Sequence, residues 1–488
     1  MPKAANLIVI LAESHSQNLL GCYGDPIVKT PHLDRLARRG VRFTNTYCTS
    51  PICVPSRASF ATGLYPHQNR FWDNSIPFDG SVMSWMKRLR EEGHEVSAIG
   101  KLHYRSSDDD NGFSEEIDTM HVADGLGELI GLLRSTGEEP IRDGLWHLYV
   151  NRTGVGDKTY YQDYDRRITE KAVRWLEQRA GRDGAPWVLC VHYVSAHPPF
   201  TVPQRLFDLY PIEMMPTPVQ FFPDERPMHP AIEHLRAILG HERDLDEAVM
   251  KKITACYFAV ITHLDEQVGE LLGALEQLDL EDSTRVCYTA DHGYNCGNQY
   301  ILGLFNLYQR SVSVPMIVAG PDVPAGKRVN QITSHVDLYP TFLEAVGVKT
   351  TESERALPGI SLWPAINGSE VSRLGFAEYH ALGSKSGAYM LREGRDKLIY
   401  HVGMPPQLFD LETDPNETHD RVVDGSGLVR ASELEGKLRE IVDPEAADAL
   451  AKTDQLHKAQ EYGGKEGILK LRGGFVYSPP PGIDWRDT

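Results

Sequence analysis

Apolar residues in this 488-residue chain fall in short unbroken runs, separated by stretches with helical spacing. Residues 7–12, Leu-Ile-Val-Ile-Leu-Ala, have the pattern of a strand buried on both faces. Residues 95–100, 187–193, 285–290 and 314–318 read the same way. Between them, residues 31–39, 81–92, 164–179, 247–278 and 337–346 carry apolar side chains at three- and four-residue intervals, which predicts helices. Pro31 suits the first turn of the first of these. Strands alternating with helices predict an α/β fold, a large mostly parallel sheet with helices on both faces. The apolar stripe of 247–278 reads as core rather than as a partner groove.

The texture changes towards the C-terminus. Residues 350–369 are polar and rich in turn formers, as in a linker. Residues 388–392 and 397–401 read as strands joined at Gly394, 407–411 as a third strand, and 431–441 as a helix. These predict a small C-terminal α+β subdomain with antiparallel strands. Pro479, Pro480 and Pro481 make the last segment extended. The expected organisation is an α/β domain over 1–368, the α+β subdomain over 369–470, and an extended tail over 471–488. That tail would pack on the body or serve as an oligomerisation arm.

Composition narrows the partners. Fifty Lys and Arg against 68 Asp and Glu give a net charge of −18, which disfavours nucleic acid and anionic membranes. No run approaches the roughly 18 apolar residues of a membrane span, and residues 7–12 are too short for a secretory signal. The seven cysteines are odd in number and lack metal-finger or redox-motif spacing, so no disulfide framework is expected. The expectation is a cytoplasmic protein with no nucleic-acid and no membrane partner.

The candidate chemistry lies where the strands end. They are followed by Glu13-Ser14-His15, by Lys101 and His103, by His197, and by Asp291-His292. Ligands of open parallel sheets bind beyond the carboxyl ends of strands. Each position alone is an ordinary loop start; together they point to one rim. Cys53-Val54-Pro55-Ser56-Arg57 opens a further helix that closes at Gly63. Cys53 then sits at a helix N-terminus, which favours negative charge, and Arg57 lies one turn on. The plain alternative is a buried structural cysteine. Asn74 is a candidate substrate contact, with an Asx-turn as its alternative. His32, His67 and His335 read as surface or capping residues, and His15 stays open.

Cys53-x-Pro-Ser-Arg57 with Ala-Ser-x-x-Thr-Gly resembles the signature of the type I sulfatases, within the alkaline phosphatase superfamily. The resemblance extends to 6–12, to Leu20-Gly21-Cys22-Tyr23-Gly24, to Thr30–Leu36 in Thr-Pro-His-Leu-Asp-Arg-Leu, to Gly100-Lys101-Leu102-His103, to His197-Pro198-Pro199-Phe200 and to Thr289-Ala290-Asp291-His292-Gly293. Gln407–Leu411 and Asp414-Pro415 resemble choline-sulfatase-like members. The resemblance implies formylglycine made from Cys53 by a separate maturation enzyme. It also implies one divalent metal ion, calcium first and manganese or magnesium as alternatives, held by Glu13, position 53, Asp291 and His292. Arg57 would bond the formylglycine, Lys101 would hold a sulfonyl oxygen, and His103 would orient or deprotonate the nucleophile. His197 would act as general acid at the leaving oxygen. The implied partner is a small sulfate ester, and the implied assembly a homo-oligomer.

The chain departs from that pattern at Ser14, where the family has a second acidic or amide ligand, and at Gln299 and Leu304, where it has a His and a Lys. Three readings stand side by side: a sulfatase, a phosphonate monoester or phosphodiester hydrolase on the same scaffold, and a degenerate non-catalytic binding protein.

Overall fold

The computed structural model describes residues 2–157, 159–182, 184–472 and 477–484. In strand β1 (Asn6–Ala12), Ile8, Ile10 and Ala12 enter one hydrophobic core while Leu7, Val9 and Leu11 enter another. A strand buried on both faces has to be apolar throughout. The sheet continues with β2 (Gly40–Tyr47), β3 (Val96–Lys101), β4 (Glu115–Met120), β5 (Val188–His192), β6 (Thr284–Ala290), β7 (Met316–Ala319) and β8 (Lys327–Ser334). Their order is β8-β2-β7-β6-β1-β5-β3-β4. Neighbours are parallel except where β7 runs against β2 and β6.

Helices cover both faces. They are α1 (Pro31–Arg39), α2 (Cys53–Thr62), α3 (Trp85–Glu91), α4 (Tyr160–Glu177), α5 (Glu247–Gln277) and α6 (Leu338–Ala345). Side chains of α1, α4 and α5 fill the first core, and those of α2, α3 and α6 the second. The long helix α5 is core, as expected. Its Asp265 also accepts the His32 and Leu33 amides at the start of α1, at 3.1 and 2.8 Å.

The C-terminal region is an antiparallel meander of β9 (Gly375–Tyr379), β10 (Ala388–Glu393), β11 (Asp396–His401) and β12 (Gln407–Asp410). After it come α7 (Leu428–Ile441), α8 (Pro444–Glu461) and α9 (Gly464–Arg472). Helix α7 packs on β10 and β11, and α8 and α9 pack on residues 129–136 of the body.

Several expectations need correction. Helix α3 begins at Trp85, because the Ser84 hydroxyl accepts the Lys87 amide and caps it. Helix α4 begins one turn earlier than its apolar spacing suggested. Residues 350–369 are not a bare linker, since Leu362, Trp363 and Ile366 are buried and the Trp363 indole donates to the Thr341 carbonyl at 3.1 Å. His335 is fully buried against the Phe60 ring, not at the surface. His15 is also core, with its two nitrogens on the Tyr288 hydroxyl and the Leu19 carbonyl. Of the tail, 471 and 472 finish α9, whereas 473–476 and 485–488 lie outside the described residues.

Two predictions follow from the packing. Gly100 has φ of +100°, and a Cβ there would run into the His192 carbonyl of β5. Gly100→Ala is expected to cost about 2–4 kcal/mol, read by urea unfolding. Glu378, fully buried at the end of β9, bonds His67 Nδ1 at 2.8 Å and His380 Nε2 at 2.9 Å. Burial opposes its ionisation, but the charge of His67 and the bond from His380 hold its carboxyl down at about 2. A depressed carboxyl contributes stability above its ordinary value near 4.5, which is lost as pH falls towards 2. Glu378→Gln should therefore lose up to about 3 kcal/mol at neutral pH and show a flatter stability curve across that acid window.

Candidate active site

The strands carrying the candidate residues, β6, β1, β5 and β3, are adjacent and parallel, so their carboxyl ends share one rim. Glu13 follows β1, Lys101 ends β3, His197 follows β5 and Asp291 follows β6. The Asp291 amide donates to the Ala12 carbonyl at 3.0 Å, which fixes the two acids side by side. Helix α2 brings its N-terminus to the same place, with Cys53 in its first turn. The Asn74 side-chain oxygen accepts the Val54 amide at 3.1 Å, so Asn74 caps α2. The Asx-turn expected at Asn74 belongs to Asp73, which takes the Ser75 amide at 2.8 Å.

Glu13, Cys53, Arg57, Lys101, Asp291 and His292 are all buried. The Arg57 guanidinium bridges the acids, donating from Nε to Asp291 Oδ2 at 2.8 Å and from Nη2 to Glu13 Oε2 at 2.7 Å. Its third arm reaches the Lys101 carbonyl. Lys101 Nζ lies 2.8 Å from the same Glu13 oxygen. The outer oxygens of both acids are thus occupied by cationic side chains, and the inner oxygens face one another's side of the site.

Around those inner oxygens, Glu13 Oε1 is 2.8 Å from Cys53 Sγ and 3.6 Å from His292 Nε2. Asp291 Oδ1 is 3.7 Å from the same nitrogen, and Cys53 Sγ is 3.5 Å from it. The His292 Nδ1 meets the Gly293 carbonyl at 2.9 Å. A carbonyl only accepts, so Nδ1 carries the proton and the Nε2 lone pair points into the cluster. The donor atoms of Glu13, Cys53, Asp291 and His292 all lie within 4.8 Å of one another. Two carboxylate oxygens, an imidazole lone pair and a fourth group at position 53 suit a hard divalent cation. The Ser14 hydroxyl is buried without a hydrogen-bond partner among the described residues. Its backbone φ is 54°, and its amide donates to Asp291 Oδ1 at 3.2 Å.

The charges are unevenly shared. Burial opposes ionisation of both acids, but Lys101 and then Arg57 pull Glu13 well below the usual carboxylate range. Burial and then the Glu13 charge raise Asp291 to about 6. Burial and Glu13 push the Cys53 thiol well up, so the unmodified side chain is a protonated thiol rather than a thiolate nucleophile.

A chamber opens from Cys53, lined by Lys101, His103, His197, Asn74 and Glu128 and by the apolar surfaces of Leu145, Leu148 and Phe305. Gly127, Glu128, Leu145, Leu148 and Tyr149 build one wall of it. Leu304 lines it as well, whereas the Gln299 amide turns away to the Asn416 carbonyl at 2.8 Å. The His197 Nδ1 meets the Pro198 carbonyl, leaving Nε2 as a lone pair. Burial and then Lys101 push that ring down to about 3, so it is neutral at neutral pH. In the substrate-free protein the His197 Nε2 is therefore an acceptor.

Sequence reasoning missed the Glu128, Tyr149 and Tyr161 walls of the chamber and the described C-terminal residues Tyr477 and Ser478. No motif spacing marks any of them.

Strand ends that deliver paired acids, a directed imidazole and a helix-borne side chain beneath a lysine define a hydrolase of anionic esters with the alkaline-phosphatase type of fold. The chain belongs to the sulfatase family, whose model, described as Sulfatase, matches residues 5–348. A second model, N-sulphoglucosamine sulphohydrolase, C-terminal, matches 303–443. The protein is a sulfuric ester hydrolase, which leaves the binding-only reading without support. It is 29% identical to a choline-sulfatase of Rhizobium meliloti (strain 1021) over 97% of this chain and 92% of that one. It is 30% identical to the arylsulfatase K of Homo sapiens over 85% of this chain and 78% of that one. Its fold matches the phosphonate monoester hydrolase of Agrobacterium radiobacter with a TM-score of 0.71 at 24% identity, covering 89% of this chain and 95% of that one.

The bridge made by Arg57 yields a prediction. Arg57→Leu leaves two buried carboxyls facing each other, and is expected to cost about 3–5 kcal/mol in chelator-treated protein. Arg57→Lys should recover only part of this, because one ammonium lacks the planar fork. Denaturant midpoints measure both.

Proposed function

We propose that the chain hydrolyses a small sulfate monoester with formylglycine at position 53 and a divalent cation, calcium first, with manganese or magnesium as alternatives. The ion would be held by Glu13, Asp291, His292 and position 53. The single observation that carries this is the convergence of those four donors within 4.8 Å. When present, the cation supplies charge neutralisation and the matured side chain a hydroxyl nucleophile for sulfur. Overall, water and the ester become an alcohol and hydrogensulfate.

The chain's own residues do the rest. Arg57 holds Glu13 and Asp291 in register through their outer oxygens. Lys101 Nζ, 4.0 Å from Cys53 Sγ and facing the chamber, is placed to hold a sulfonyl oxygen. His103 lines the same chamber with a neutral ring, lowered by burial and then by Lys101, and can accept a proton from a hydroxyl at position 53. His197 Nε2 faces the leaving oxygen. Asn74 holds the start of α2 and contacts bound ester from the chamber wall. Lys101 and His103 favour sulfate over phosphorus esters in this reading. The named relatives support a small alkyl or aryl sulfate, and the apolar lining fits its organic half.

The seven cysteines are free, which supports a reducing, cytoplasmic location. A maturation enzyme acting on Cys53 and a homo-oligomeric assembly complete the proposal, both on family resemblance.

The test is peptide mass analysis at position 53 of active protein, with metal analysis of the same sample. The aldehyde is expected there. Cys53→Ala should lower kcat by about 10⁴-fold or more, and Lys101→Ala by about 10²–10³-fold. Chelation should abolish turnover and added calcium restore it. An intact thiol with full activity would falsify the reading, and faster turnover of phosphonate or phosphodiester probes would favour the phosphorus ester alternative.

A further inference from the structure

The far end of the chain comes back to the site. Tyr477 and Ser478, only 9% and 4% exposed, line the chamber that holds Cys53. The Ser478 hydroxyl lies 3.0 Å from His103 Nε2, and the Ser478 carbonyl accepts from the Tyr161 hydroxyl at 2.8 Å. Arg152 Nη1 donates to the Tyr477 hydroxyl at 3.0 Å, with its guanidinium 5.9 Å from the ring centre. The Tyr477 ring meets Tyr161 edge-on at 5.6 Å and lies 6.5 Å from His197. Pro479, Pro480 and Pro481 follow, which stiffens the segment and lowers the entropy lost in holding it there.

A second pocket lies beyond this wall and is lined by Arg152, Thr159, Thr201, Val260 and Pro480. Tyr161, His197 and Tyr477 belong to the linings of both. Tyr477 is thus a partition between the reaction chamber and the space into which a larger leaving group would extend. Ser478 touches His103, whose Nδ1 has no hydrogen-bond partner among the described residues. The ring is oriented through that one hydroxyl.

We propose that Tyr477 determines leaving-group size and that Ser478 is a positioning residue for His103. This deepens the sulfate ester reading and rests on it. With Tyr477 in place, the ester's organic half packs within the reaction chamber, so short alkyl sulfates are favoured. Without it, the two chambers merge and bulky aryl sulfates gain room.

The test uses the full chain and two probes, propyl sulfate and 1-naphthyl sulfate. Tyr477→Ala should raise KM for propyl sulfate about tenfold with kcat little changed, and should raise kcat/KM for 1-naphthyl sulfate at least about threefold. Ser478→Ala should lower kcat about tenfold at nearly constant KM, and Ser478→Thr, which keeps the hydroxyl, should restore it. A second arm needs no turnover. In protein left unmatured at position 53, iodoacetamide labelling of the Cys53 peptide should accelerate at least about fivefold in Tyr477→Ala, with the buried Cys190 and Cys287 unchanged as folding controls. Unchanged probe ratio and unchanged Cys53 labelling would overturn the wall while leaving the sulfatase reading intact. Faster labelling of the unmatured variant, with no sulfate ester turned over by protein carrying the aldehyde at position 53, would keep the wall and overturn that reading.

Discussion

Two carboxyls face each other in a dry interior, and one guanidinium lies between them. Charges of like sign at that depth repel strongly and have lost their water, so the pair is tolerable only with cations against it. Arg57 meets both Glu13 and Asp291, and Lys101 adds a second contact to Glu13. Much of the local architecture follows. The strands β1 and β6 must be neighbours to set the acids side by side, and α2 must dock end-on to bring Arg57 between them. Cys53 and Arg57 are one helical turn apart, so the helix that carries the charge clamp also delivers the reactive position. The Ser56 hydroxyl, bonded to the Asp291 carbonyl, holds that helix end against β6. The spacing of the signature is therefore a geometric requirement.

The same arrangement divides the labour of the oxygens. Arg57 and Lys101 take Oδ2 of Asp291 and Oε2 of Glu13, and this leaves Oδ1 and Oε1 on the side of His292 Nε2 and Cys53 Sγ. Without Arg57 the carboxyls could rotate, and the inner oxygens would lose their common direction. The split in acidity reports the same asymmetry. Glu13, with Lys101 and Arg57 against it, stays ionised, while Asp291 is raised chiefly by burial and then by the charge of Glu13.

What could be read from the sequence tracks how fully each element is buried. The strands β1, β5 and β6 are sealed on both faces, so β1 and most of β5 appear as apolar runs, and β6 as one broken by Arg285 and Thr289. The edge strands β4 and β8 have polar, partly exposed sequences, Glu-Glu-Ile-Asp-Thr-Met and Lys-Arg-Val-Asn-Gln-Ile-Thr-Ser, and carry no such signal. Helices α8 and α9 were hidden in the same way by largely polar faces. At the site, Glu13, Lys101, His197 and Asp291 were legible because they follow or end parallel strands, and topology alone puts those ends on one rim. The partners of Arg57 were not legible, since nothing in a sequence says which oxygens a guanidinium will choose. Tyr477 and Ser478 were invisible for a different reason. They reach His103 and Tyr161 from hundreds of residues away, and a proline-rich end reads only as an extended arm, with nothing to say which part of the body it meets.

The departures from the family pattern gain a consistent meaning once placed. Leu304, standing where the family has a lysine, lines the chamber beside Phe305 and makes that wall apolar. Gln299 directs its amide to the Asn416 carbonyl and so serves the C-terminal region rather than the ester. Lys101 thus brings positive charge to the chamber wall, with Arg57 behind it on the two acids, while Tyr149, Leu148, Phe305 and Tyr477 add aromatic and aliphatic surface. Such a lining suits an anionic head held by charge and a remainder held by apolar contact. In the proposed hydrolysis the leaving oxygen would have no lysine beside it, and the neutral His197 with the aromatic wall would govern which alcohols depart.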